Sequence, residues 1–81
     1  MEHKLKTWPE YFQAILSGQK QFEIRYNDRA FKLGDMLLLQ EFNQFEQTFT
    51  GRKLKCHVIY VTDFEQKTGF VVLGIAQVQP L

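Results

Sequence analysis

One segment near the start of the chain carries the signals of a short amphipathic helix. The residues Thr7-Trp8-Pro9-Glu10 have the form of a capping box, in which a threonine hydroxyl and a glutamate satisfy free amides at the helix start. Pro9 falls in the first turn, where its missing N–H costs nothing. Gly18 suits the left-handed position that follows a helix. The apolar side chains between these signals recur at helical spacing and predict one buried face: Trp8, Tyr11, Phe12, Ile15 and Leu16.

The rest of the chain shows the patterns of short strands separated by polar turns. We predict strands or short extended pieces over residues 3–7, 21–26, 30–33, 36–39, 53–62 and 70–79. Residues 43–51 indicate a hairpin connection and residues 63–69 a polar loop. The run 36–39 is apolar on both faces, which predicts a strand covered on both sides, and Gly74 indicates a bulge or a close backbone contact. Five or six strands with one early helix predict an α+β fold: a small, curled or closed mixed β-barrel with the N-terminal helix packed against it.

Length and composition exclude several classes of protein. Eighty-one residues make one domain, residues 1–81, and the formal charge of +1 gives no strong overall field for nucleic acid or membrane. A chain this short needs a dense aromatic core or a partner to be stable, and 44% apolar and 15% aromatic residues favour the aromatic core. A single cysteine excludes an internal disulfide, and the two histidines lack zinc spacing, so we expect no metal and no cofactor. No apolar run reaches the roughly 18–20 residues of a membrane span, and no signal peptide follows Met1, which predicts a cytoplasmic protein.

Charge is concentrated immediately after the predicted helix. Lys20 lies in the connection, and Glu23 and Arg25 are two residues apart on a strand, so roughly 6.5–7 Å separates them. Asp28 and Arg29 follow in a turn. One interpretation is a set of surface ion pairs on the solvent face of the strand. The other is a polar cleft between helix and barrel, lined by Lys20, Glu23, Arg25 and Arg29, in which the Arg25 guanidinium binds a phosphate or a base edge. Trp8 and Tyr11 border this segment, and their helical spacing makes them core residues first and a ligand wall second.

A second basic group lies along the predicted strand 53–62 and, together with two lysines near the N-terminus, could form one patch. Its members are Arg52, Lys53, Lys55 and His57, with Lys4 and Lys6. It predicts either a phosphate-binding patch, with Lys53 and Lys55 as RNA contacts, or a solvated face whose lysines protect a sheet edge. The aromatic residues of the hairpin segment would either stack on bases or fold back onto the core: Phe42, Phe45 and Phe49. Cys56 and His57 alternate along one strand and therefore face opposite sides, which argues against a catalytic pair.

The pattern Gly-x-Lys-x-x-Glu-x-Arg, formed by Gly18, Lys20, Glu23 and Arg25, resembles the ASCH domain family of the PUA-like superfamily. The opening residues 3–12, the turn segment and the last strand resemble the small uncharacterised bacterial and phage members of that family, so the resemblance covers nearly the whole chain. It implies a PUA-like barrel with a cleft near the helix, in a class associated with RNA binding and RNA modification. We therefore expect a module that binds RNA or a nucleotide-like ligand.

Two alternatives stay open. The resemblance extends to acetylcytidine amidohydrolases, whose motif lysine is matched by Lys20, but Glu23 stands where those enzymes have a threonine. The loop 63–69 is too short for the insertion that carries their glutamate, and Glu65 would have to substitute from another direction. If the chain is an enzyme, Lys20 and Glu23 are its catalytic candidates. The other alternative is a protein-interaction module, which would expose an apolar patch in the final strand.

Overall fold

The computed structural model describes residues 1–78 and contains one helix and five strands within them: β1 (Glu2–Thr7), α1 (Pro9–Leu16), β2 (Phe22–Tyr26), β3 (Met36–Asn43), β4 (Thr48–Thr62) and β5 (Phe70–Gln77). The strands form one sheet in the order β1-β3-β4-β5-β2. β1 lies parallel to β3, and every other neighbouring pair is antiparallel. The fold is therefore mixed α+β, a curled half-barrel with one short helix. The predicted end of the last strand, Gln79, lies outside the described residues.

The core fills the concave side of the curled sheet, beneath α1. The helix contributes Phe12 and Ile15, each 1% exposed, and the sheet contributes mainly aliphatic side chains. Of the 12 aromatic residues of the chain, only Phe12, Phe31 and Phe42 are buried among the residues described. The predicted aromatic core is therefore wrong, and most of the large rings lie on the surface. Between residues 1 and 78, no helix has the length and hydrophobicity needed to cross a membrane.

The predicted capping box does not form. Thr7 is the last residue of β1, and Trp8 is the N-cap, with no side-chain hydrogen bond to the helix. The reason is Pro9, which forces the preceding residue into extended backbone (φ −62°, ψ 148°) and so starts the helix one residue later than the box requires. At the other end the prediction is confirmed, because Gly18 follows the Ser17 C-cap with φ +85°.

A bulge in β4 changes which side chains face the core. The alternation of residues 53–62 predicts that Tyr60 points inward with Val58. The register against β5 shifts between Val58 and Tyr60, so Val61 packs against the core and Tyr60 is exposed. Gly74 lies opposite this bulge, and a β-carbon there would approach the Tyr60 β-carbon to 3.1 Å, which confirms the predicted close contact.

Two other segments differ from the pattern. Residues 30–33 form no strand, and β3 is fully buried on one face only, where Leu37 and Leu39 lie, while its other face is partly covered. The hairpin turn is shorter than residues 43–51, because β4 already begins at Thr48.

A buried polar contact fixes the start of β1 to the turn before β3. The imidazole Nε2 of His3 lies 2.8 Å from Asp35 Oδ2, and the Lys32 amide donates to the same carboxylate at 3.0 Å. The N-terminal amine donates to Asp35 Oδ1 at 3.3 Å. The hydrogen bond with His3 is the largest of the influences that hold the pKa of Asp35 below its ordinary value of 3.8.

Candidate functional site

Strand β2 presents its charged face to the interior, the reverse of an ordinary solvent-facing strand. Glu23 is 5% exposed, whereas Phe22, Ile24 and Tyr26 are each between 42% and 58% exposed. The cause is the register against β5, where Glu23 lies opposite the fully buried Leu73 and therefore shares its face. The ion pairs of one interpretation do form, but not on a solvent face, because their shared carboxylate, Glu23, is buried.

Glu23 binds two cations, one with each carboxylate oxygen. Lys20 Nζ donates to Oε1 at 2.8 Å, and Arg25 Nε donates to Oε2 at 2.7 Å. Lys20 Nζ also donates to the Phe22 carbonyl at 2.9 Å. No described residue accepts a hydrogen bond from Arg25 Nη1, so this nitrogen keeps two donors available. We call Lys20, Glu23 and Arg25 the charged triad, and no buried side-chain N or O atom between residues 1 and 78 lacks a partner.

Arginine side chains bridge the open seam of the half-barrel. β1 and β2 are the two edges of the sheet, so the carbonyls on the free side of β1 have no strand partner. Arg25 Nη2 donates to the Lys6 carbonyl at 2.6 Å, and Arg29 Nη1 donates to the Lys4 carbonyl at 2.9 Å. Arg25 therefore joins the charged triad to the opposite edge of the sheet.

A cavity of about 500 Å³ opens where the two edges meet the start of α1. It is lined by two aromatic residues of the helix start, the charged triad and their neighbours on β1 and β2: Lys6, Thr7, Trp8, Tyr11, Lys20, Phe22, Glu23, Ile24 and Arg25. The rings of Trp8 and Tyr11 stack at 19° with centroids 6.0 Å apart. Lys20 Nζ lies 5.3 Å from the Tyr11 ring centroid and 4.8 Å from that of Phe22.

The aromatic wall consists of two residues for which the helical pattern favours the core. Trp8 and Tyr11 are 48% and 42% exposed, so the favoured core placement is wrong and the alternative of a wall stays open. Trp8 lies outside the helix as its N-cap, and Pro9 is the sequence signal that determines this position. Thr7 and Lys6 also line the cavity, and the sequence motif gave no indication of their place there.

Of the predicted site residues, some line the cavity and others lie outside it. Lys20, Glu23 and Arg25 come together in the cavity, whereas Arg29 binds the Lys4 carbonyl and is not a lining residue. Arg52 lies beside the helix, where Nη2 donates to Gln13 Oε1 at 3.0 Å.

Four exposed lysines share the outer face of the other half of the sheet, and we call them the lysine face: Lys4, Lys6, Lys53 and Lys55. The register places Lys4 and Lys55 on either side of Leu38, and Lys6 and Lys53 on either side of Gln40. Lys55 has a partner at 3.8 Å, the carboxylate of Glu2. Lys6 belongs to both places, because it lines the cavity and lies on this face.

Of the hairpin aromatics, one is buried and two are exposed. Phe42 is buried and packs edge-on against Phe49, with ring centroids 5.0 Å apart, while Lys6 Nζ lies 4.5 Å from the Phe42 centroid. Phe49 remains about half exposed, and Phe45 at the turn is 88% exposed.

The environment of Cys56 gives it no role as a nucleophile. Its side chain is fully buried, and desolvation, followed by the nearby Glu23 charge, raises the pKa of the thiol to about 11. His57 is exposed on the opposite face of β4, as predicted. In the described part of the chain, no cluster of three or more His, Cys, Asp or Glu residues has a metal-binding arrangement.

Comparison with known sequences places the chain in a family. Residues 2–75 match the family model described as "Domain of unknown function (DUF3850)". The chain belongs to this family. A relative from Escherichia phage P2, described as an uncharacterized 12.9 kDa protein in the GpA 3′ region, is 41% identical over 61 residues. That alignment covers 75% of this chain and 54% of the phage protein, so the chain spans about half the length of this relative. The expected similarity to uncharacterised phage proteins is confirmed.

Proposed function

We propose that this chain is a PUA-like, ASCH-type domain that binds single-stranded RNA, with one nucleotide in the cavity between α1 and β2. The observation that carries the proposal is the composition of that cavity. A stacked aromatic wall stands against a bed of charged donors and acceptors, and a volume of about 500 Å³ lies within the range of ligand pockets.

The aromatic wall supports the recognition of a flat, unsaturated ring. Trp8 and Tyr11 leave about half of their surface in water, although burial of large rings is favourable. A base that stacks on such a surface gains about 1–3 kcal/mol, and it does so whatever its identity. This wall therefore favours a nucleobase, with little dependence on sequence.

The charged triad supports the recognition of the polar edge or phosphate of the same nucleotide. Lys20 uses two of its three N–H donors within the protein, and Arg25 Nη1 keeps both of its own. The lining residues include three cations and one carboxylate, so the cavity has a net charge of +2. A planar guanidinium with two free donors on one nitrogen suits a phosphate or a base carbonyl.

The lysine face supports a polymer rather than a free nucleotide. Lys6 lines the cavity and begins the row that continues through Lys53, so a strand leaving the cavity meets further cations. The chain as a whole has a charge of only +1, so attraction to phosphates must be local.

The geometry favours binding over the alternative of an amidohydrolase. A lysine that acts as base or nucleophile must lose its proton, whereas Lys20 donates to the Glu23 carboxylate and to a backbone carbonyl as an ammonium group. Glu65, the candidate for the missing glutamate, is not among the residues that line the cavity.

Trp8 makes the proposal directly testable, because it is the single tryptophan of the chain and forms one wall of the cavity. We expect single-stranded RNA, titrated at low salt, to quench its fluorescence and to raise the anisotropy of a labelled oligonucleotide. Arg25→Ala is expected to weaken binding by more than about 1 kcal/mol, roughly fivefold. Because Arg25 also bridges to β1, Tyr11→Ala serves as a second variant. It removes part of the wall, leaves both hydrogen bonds to the Glu23 carboxylate in place, and should weaken binding in the same direction.

The control is Lys67→Ala, which removes one cation from the exposed loop 63–69 and should leave the affinity unchanged. The double variant Lys53→Ala/Lys55→Ala should reduce the salt dependence of binding. With fewer phosphate contacts, fewer counterions are released from the RNA when the protein binds. If neither fluorescence nor anisotropy responds to RNA at low salt, the proposal is refuted.

A further inference from the structure

The outer surface of β2, β5 and β4 is an apolar sheet face. The register places Phe22, Gly74 and Tyr60 in one row, and Ile24 and Val72 in the next. Tyr26 follows and packs edge-on against Phe70, with centroids 5.5 Å apart. We call the following residues the outer apolar face: Phe22, Ile24, Tyr26, Ile59, Tyr60 and Val72.

Two local features create this face. The inward orientation of Glu23 turns the apolar residues of β2 outward, and the β4 bulge leaves Ile59 exposed beside Tyr60. Gly74 lies between the strands' large side chains, where its missing β-carbon leaves room for Tyr60. The exposure therefore follows from the backbone register and not from a frayed or poorly paired strand.

The two halves of the outer sheet surface have opposite character. The lysine face contains four cations, whereas the outer apolar face contains no charged residue. A partner recognised by charge would bind the first half. Most of the second half, around Ile59 and Tyr60, can be covered without removing a charge from water, which is the costly step in forming an interface. Only at its Phe22 edge does a charge lie close, since Lys20 Nζ is 4.8 Å from that ring.

The size of the face is that of a small contact surface. Five of its members are between 42% and 64% exposed, and a large side chain has roughly 150–250 Å² of surface, so the exposed apolar area is about 400–670 Å². This is at or above the size of the largest apolar patch on monomeric proteins, about 300–600 Å², and such patches are often functional. With a polar rim it approaches the roughly 800 Å² that each partner contributes to a standard interface.

We infer that the occupant of this face is a second copy of this chain, packed sheet against sheet about a twofold axis. An isologous contact places the same uncharged surface on both sides, so no charge complementarity is needed. Two sheets pack face to face at about 10 Å, with side chains from both inner faces filling the space. The area predicts a weak, reversible dimer. Phe22 and Ile24 belong both to this face and to the cavity, but the inference does not depend on RNA binding.

Sedimentation equilibrium of the full chain over a wide concentration range tests the inference. The apparent mass of the wild type should rise with concentration, from 9.6 kDa toward twice that value. Tyr60→Lys, at a position that is 64% exposed and does not line the RNA cavity, should raise the dissociation constant at least about tenfold, because the twofold axis brings two new cations into the interface. Ile59→Lys should act in the same direction, so the result does not depend on one variant.

The matched control is Phe45→Lys, which introduces the same side chain at an aromatic residue 88% exposed in the hairpin turn. It should dimerise as the wild type does. A wild type that stays at 9.6 kDa at the highest concentration overturns the inference. A dimer that Tyr60→Lys and Ile59→Lys leave intact, in variants with wild-type circular dichroism, overturns it as well, because the contact would then use another surface.

Discussion

The substitution Glu23→Gln tests the charged triad without changing its shape. In the wild type each oxygen of the buried carboxylate accepts a charge-assisted hydrogen bond, one from Lys20 and one from Arg25. A glutamine can accept from only one of these cations, and its amide donors then face the other. The variant therefore leaves one cation without its bond in a partly buried place.

The magnitude follows from the burial of the three groups. A hydrogen bond to a charged group contributes about 1.5–3 kcal/mol, and breaking a buried ion pair costs about 3–5 kcal/mol. The side chains of Lys20 and Arg25 are 17% and 25% exposed, so water recovers part of that loss. We expect the free energy of unfolding to fall by about 2–3 kcal/mol. For a domain of this size that lowers Tm by roughly 10–20 °C.

Urea denaturation followed by far-UV circular dichroism measures this difference. The matched control is Glu2→Gln, the same substitution in a pair that is 3.8 Å apart and largely in solvent, where we expect a loss below about 0.5 kcal/mol. If Glu23→Gln and Glu2→Gln cost the same, Glu23 does not hold the triad together, and the structural basis of the cavity is refuted.

Three further predictions concern the fold. Gly69→Ala should lower Tm more than Gly51→Ala does. Both glycines have positive φ, but only at Gly69 would the new β-carbon meet a side chain, the Tyr26 ring at 2.6 Å. Equal losses of Tm would contradict this. Asp35→Asn should lower the free energy of unfolding at pH 5–7. The difference from the wild type should shrink as the pH falls below about 3.8, because a carboxylate with a lowered pKa stabilises the fold only while it is ionised. Urea midpoints of both proteins across this pH range measure the difference. With a pKa of about 11, the buried Cys56 thiol is about 0.1% ionised at pH 8. The rate at which a thiol-specific reagent labels Cys56 should therefore rise with the unfolded fraction in urea. Fast labelling of the folded chain would refute the burial of this thiol.

The sequence predicted the elements better than their orientation. The helix end at Gly18, the strand β2 and the close contact at Gly74 follow from local signals, because glycine conformations and two-residue alternation are properties of short segments. Alternation along β2 separates Glu23 from Ile24, yet it does not say which of the two faces the core. The partner strand decides that, because Leu73 of β5 brings Glu23 to the buried side.

In the candidate site, too, contacts between neighbours in sequence were predictable, and contacts between distant segments were not. The motif Gly18–Arg25 contains the charged triad, and its residues are close in sequence, so their meeting was predictable. The aromatic wall comes from the helix start, and the bond from Arg25 to the Lys6 carbonyl spans 19 residues. No local pattern specifies such a contact, because it depends on how far the two sheet edges curl toward each other.

By itself, the sequence determined one short helix, the approximate positions of the five strands, and a cluster of charge after the helix. The tertiary structure decided that the carboxylate of this cluster is buried, that Trp8 and Tyr11 face a cavity instead of the core, and that an apolar face is left in solvent. The physical reason is that periodicity divides a strand or helix into two faces, whereas burial of either face depends on the register and curvature of the whole sheet.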